Sequence, residues 1–84
     1  MINQATCKAL YNLAVLVRTA QDTWSKNHHV HGCYGAVYLA RDLGLIDDAE
    51  ADRFYDLAEN ANTHRGEELR EAELKKRLAE ISTR

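Results

Sequence analysis

The chain contains no proline and only four glycines in 84 residues. No run alternates between apolar and polar residues as a strand would, and there is no internal repeat or low-complexity tract. No apolar stretch approaches the ~18 residues of a membrane span. Asn3, Gln4, Thr6 and Lys8 interrupt any basic-then-apolar leader pattern at the start. Two cysteines, Cys7 and Cys33, cannot build a disulfide scaffold, so reduced thiols and a cytoplasmic setting are expected. Also missing are a Gly-rich phosphate loop after a strand and a Cys–His pair with an orienting group and an oxyanion hole. A non-catalytic protein without a cofactor is the expectation.

What remains is ordinary for a small helical domain: 45% hydrophobic and 29% charged residues, with a net charge of −2. That charge is unevenly spread. Up to residue 41, Lys8, Arg18, Lys26 and Arg41 face Asp22 alone, whereas residues 42–66 carry seven acids against Arg53 and Arg65. A general nucleic-acid binder would need one continuous basic surface. A basic front and an acidic middle suit self-association or a charged protein partner instead.

The pattern is read as all-α: three helices with a central αα-hairpin and an extended C-terminal helix. Residues Gly35–Ala61 carry the hairpin. Ala36, Leu39, Ala40 and Leu43 recur at helical spacing, and Gly44 follows where a left-handed residue ends a helix cheaply. Asp47 is placed to cap the next helix, with Glu50 three residues on in capping-box position. Ala51, Phe54, Ala58, Ala61, Arg65, Leu69 and Ala72 then hold one helical line, so a single helix over about 48–81 is expected, with any kink at Gly66. A first helix over about 3–25 presents Ala9, Leu10, Leu13, Leu16, Val17, Ala20 and Trp24 as a broad apolar stripe. His28–Gly32 reads as the connector to a helix over about 32–43, whose Gly32, Gly35, Ala36 and Ala40 would let the first helix approach closely. All of this makes one domain, 1–84. Below eighty-odd residues a core is often completed by association, and a homo-oligomer is expected, through the tail line Leu74, Leu78 and Ile81 or through the wide stripe of the first helix.

Four groups of residues bear on function. Asp48, Asp52, Asp56 and Glu59 stack along one helix face for roughly 16 Å. Like charges at that spacing are mildly unfavourable, and the strip is expected to meet a basic surface on a host protein, one that handles nucleic acid. Tyr11, Arg18 and Lys26 suggest an alternative, a pocket in an oligomer that sequesters a small anionic nucleotide. His28, His29, His31 and Cys33 are metal-ligand types, but the second pair that structural sites use is missing nearby, and Cys7 and His64 would supply it only if the fold brought them near. Finally, Leu39–Leu45 has the form of the first helix and turn of a DNA-binding helix-turn-helix. The helix after it is so acidic that direct DNA binding is not expected.

The stretch Ala40-Arg41-Asp42-Leu43-Gly44-Leu45-Ile46-Asp47-Asp48-Ala49-Glu50 resembles a pattern that recurs in small helical accessory proteins of bacterial viruses and prophages. The hairpin that contains it, Gly35–Ala61, is about a third of the chain, and the pattern encodes little beyond a capped hairpin. The resemblance implies a binding protein that blocks a host component, of the anti-CRISPR or other counter-defence type, and assigns no individual residue.

Overall fold

The computed structural model describes residues 3–83. It is all-α, with three helices in the order α1 (Gln4–Arg18), α2 (Thr23–Asp42) and α3 (Asp48–Ser82). Each helix packs against both others. α1 and α2 are antiparallel, with Asn3 N–H donating to the Leu45 carbonyl (3.1 Å) at one end and Val17 clustered with Val30 near the other. None of the helices is long and apolar enough to cross a membrane.

The turn between α2 and α3 follows directly from its residues. Gly44 has φ +73°. Its N–H bonds the Arg41 carbonyl and the Leu45 N–H bonds that of Ala40, each at 3.0 Å. These two bonds make a Schellman cap. Asp47 accepts from the Glu50 N–H at 2.8 Å and starts α3. The Glu50 carboxylate does not complete the capping box; it pairs forward with Arg53.

Two expectations about the front half are corrected. The first helix does not run to Ser25 but stops at Arg18, and α2 starts at Thr23, ahead of the histidines. The stop involves neither Gly nor Pro. Thr19 turns its hydroxyl onto the Val15 carbonyl (2.8 Å), and the Asp22 carboxylate accepts from the Ser25 N–H (2.7 Å), capping a new helix. That bond holds the Asp22 carboxyl below the usual range. His28–Gly32 is therefore not a connector but the second and third turns of α2. Gly32 and Gly35 do not admit the first helix either: both are exposed, and a methyl group added to either meets nothing within 4 Å.

The buried face of α2 is Lys26, Val30, Cys33, Val37 and Ala40, at alternating steps of four and three. It meets Leu10, Ala14 and Val17 of α1 and Ala51, Ala58 and Ala61 of α3. The largest side chains left with essentially no exposure are only Val17, Val37 and Cys33. Small residues at the seams allow the helices to pack closely, and dispersion contacts supply much of the cohesion. Burial raises the Cys33 thiol pKa, so this sulfur is an inert packing group.

At the far end of the body, α3 is clasped to the α1–α2 link. Arg65 Nε donates to the Ala20 carbonyl at 2.6 Å, an acceptor freed by the end of α1. Glu68 receives two bonds from Arg18 (2.6 and 3.1 Å) and a third from Arg65 (3.2 Å). Those bonds, Arg18 first and Arg65 second, lower the Glu68 pKa. A carboxylate lowered in the native state adds stability above its unfolded pKa and loses it as pH falls through the native value. Thermal stability should accordingly drop on acidification through the glutamate range. Glu68→Gln should flatten that drop; an unchanged pH profile would remove the clasp from the account.

Beyond Leu69 there is no neighbouring helix, and residues 70–83 are exposed throughout. The molecule is a rod of 61 × 16 × 16 Å with a radius of gyration of 16.2 Å. A compact domain of this length would have about 12 Å. α3 continues unbroken through Gly66, which is buried against Lys26 and Arg70. A Cβ there would meet Arg70 Nη1 at 3.5 Å and Lys26 Cε at 3.8 Å, ordinary contacts with movable side chains. Gly66→Ala should raise stability by about 0.5–1 kcal/mol through helix propensity. A loss on urea denaturation would mean that the missing methyl is required for packing.

Candidate functional site

The acidic strip lies on the N-terminal half of α3, the element fixed by the Schellman turn and the Asp47 cap. Ala51, Ala58 and Ala61 turn one side of that helix into the core. Asp48, Asp52, Asp56 and Glu59 fall on the other side, and all four are exposed. Their side chains form no salt bridge and no hydrogen bond among the described residues. Other acids behave differently: Glu50, Glu68 and Glu73 are each paired with an arginine. The strip thus presents four unpaired carboxylates along roughly 16 Å of rigid helix. Its chemistry is that of a ladder of acceptors for lysine and arginine side chains. Nearby Glu59 also contributes, after burial, to raising the Tyr34 hydroxyl pKa.

Of the three nucleotide-pocket residues, two are brought together and Lys26 is not. Tyr11 and Arg18 line a recess of about 250 Å³ between α1 and α3, with Val15, Leu57, Ala61 and His64. Ligand sites usually occupy about 300–1,000 Å³. The recess is walled mainly by apolar side chains, and the Arg18 guanidinium is committed to Glu68. Lys26 lies elsewhere, 8% exposed at the α2–α3 seam. Its ammonium donates to Asn27 Oδ1 (2.9 Å) and Asn62 Oδ1 and has no carboxylate partner among the described residues. Lys26 is a core residue of α2, not the end of a first helix.

The metal set is not assembled either. His28 and His31 point to solvent, away from the face that holds half-buried His29 and, one turn on, the core residue Cys33. His28 stacks on Trp24, centroids 5.6 Å apart and planes 6° from parallel. Among the described residues no group of three His, Cys, Asp or Glu side chains could hold a metal ion. Trp24 itself is 76% exposed in the first turn of α2, not part of an α1 core stripe.

Two apolar surfaces remain open. Leu74, Leu78 and Ile81 are all exposed on the projecting part of α3. The second was not foreseen. Leu39 (57% exposed) and Leu43 (65%) do not face the core but border a groove of about 450 Å³ between α1 and α2. A helical plot of α2 anchored on Val30, Cys33 and Val37 would have placed both leucines outside.

Comparison with protein-family models, curated proteins and solved structures yields no match to this chain.

Proposed function

We propose that the protein is a non-catalytic binding protein of the phage-inhibitor type, which blocks a host defence or nucleic-acid-handling protein through the acidic face of α3. The observation that carries this reading is the row of four exposed, unpaired carboxylates at Asp48, Asp52, Asp56 and Glu59. Repulsion between carboxylates at i,i+4 costs a few tenths of a kcal/mol per pair. A partner that supplies lysine and arginine would relieve that repulsion and gain fast, steered association. A groove that holds a nucleic-acid backbone has the required charge, so the strip would compete with the nucleic acid for it.

The test is capture from a bacterial lysate on immobilised wild-type protein and on Asp52→Lys with Asp56→Lys, followed by elution with duplex DNA. The reading expects a protein held by the wild type, released by DNA and absent from the variant. Identical proteins on both supports, or none that DNA displaces, would overturn it.

A further inference from the structure

We propose that the groove face of α1 and α2 is the seat of a second copy of this chain, in a two-fold dimer whose axis runs parallel to the helices. Ala5, Ala9, Ala36, Leu39 and Leu43 line the groove, and helical spacing continues the same face through Asn12 and Leu16 of α1 and Gly32 and Gly35 of α2. Among the described residues it carries no Asp, Glu, Lys or Arg, in a chain that is 29% charged. Leu16, Leu39 and Leu43 stand exposed on it, beside alanines and glycines.

The identity of the occupant follows from register. The Asn3–Leu45 bond and the Val17–Val30 cluster put residue n of α1 level with residues 47 − n to 48 − n of α2. A two-fold axis parallel to the helices lays α1 of one copy against α2 of the other without any shift along them. Leu39 then falls over Ala9 of the partner copy, Leu43 over its Ala5, and Leu16 over its Gly32. Every protruding leucine meets a small residue, and symmetry repeats each contact. This gives Gly32 and Gly35 the close neighbour that they lack within the chain, where nothing lies within 4 Å of a methyl group added at either position. At the rim, Lys8 of α1 comes within a turn of Asp42 on the opposing α2, an opposite-charge pair formed twice. An unrelated helix would satisfy the groove but would not explain this matched order of large, small and charged positions.

Area favours the same face. It measures roughly 30 Å by the 16 Å width of the body. Side-chain relief raises the accessible area above that plan area, toward the ~800 Å² per partner of a stable complex. The tail offers three apolar side chains on one helix and covers less than half as much.

Sedimentation equilibrium on the full chain tests the proposal. The wild type should have twice the 9.5 kDa chain mass, and Ala9→Arg should give a monomer with unchanged helical circular dichroism. Lys8→Glu should weaken the dimer a few-fold, and adding Asp42→Lys should restore it. A variant with serine at Leu74, Leu78 and Ile81 should remain dimeric. A monomeric wild type at every soluble concentration would overturn the proposal, as would a dimeric Ala9→Arg. A monomeric tail variant would assign the contact to the tail, and failure of the charge exchange would contradict this register.

Discussion

Ala58→Leu is expected to lower the unfolding free energy by about 1–3 kcal/mol, a large part of the margin of so small a domain. Ala58 has no exposure, and the core cluster it belongs to is rich in small residues, Ala14, Ala40 and Ala51 among them. Three helices meet there on small side chains, so three added carbons have no space unless the helices separate. Separation would in turn loosen Val37 and Cys33, the groups with the least exposure on α2. Urea denaturation checks this, with Thr63→Leu as the control on the exposed side of the same helix. The control should move by less than about 0.5 kcal/mol. Equal tolerance at both positions would mean that the core is not closely packed.

The second large effect separates binding from folding. Asp52→Lys with Asp56→Lys should abolish partner capture while leaving stability within about 0.5 kcal/mol of the wild type. The reasons are local. Neither aspartate is buried or bonded in the fold. The exchange turns the repulsions of position 52 with Asp48 and of position 56 with Glu59 into attractions. The two introduced lysines repel each other as the two aspartates did. A comparable melting temperature together with lost capture would locate the function on this face. Lost stability together with lost capture would make the strip a structural feature.

The parts of the fold legible in the sequence are those with a local chemical cause. Gly44 had to be left-handed to end α2, and Asp47 had to cap α3; both do so. The line from Ala51 to Leu69 is at least half-buried throughout, and it loses its meaning at Ala72 only because α1 and α2 have ended. The front of the chain misled for a physical reason. Apolar spacing continues from Val17 through Ala20 to Trp24, and no glycine or proline marks the break, so periodicity alone extends the helix. The signal that did exist was Asp22 three residues ahead of Ser25, a cap without a conspicuous breaker. In α2 the alternative stripe, Ala36-Leu39-Leu43, was as regular as the true one. The true stripe was disguised by Lys26, whose burial beside Asn62 cannot be anticipated without the partner amides. The acidic strip was legible because exposed faces need only helical spacing. The groove beside Leu39 was not, because it depends on which stripe is buried.

Zero-length carbodiimide cross-linking tests the central claim most directly, since it joins a carboxylate only to an amine in contact with it. With wild-type protein in a bacterial lysate and the products mapped by mass spectrometry, cross-links should run from Asp48, Asp52, Asp56 or Glu59 to lysines of one partner protein. Cross-links confined to Glu71, Glu73 and Glu80 on the projecting end of α3 would contradict the assignment and move the contact to the tail.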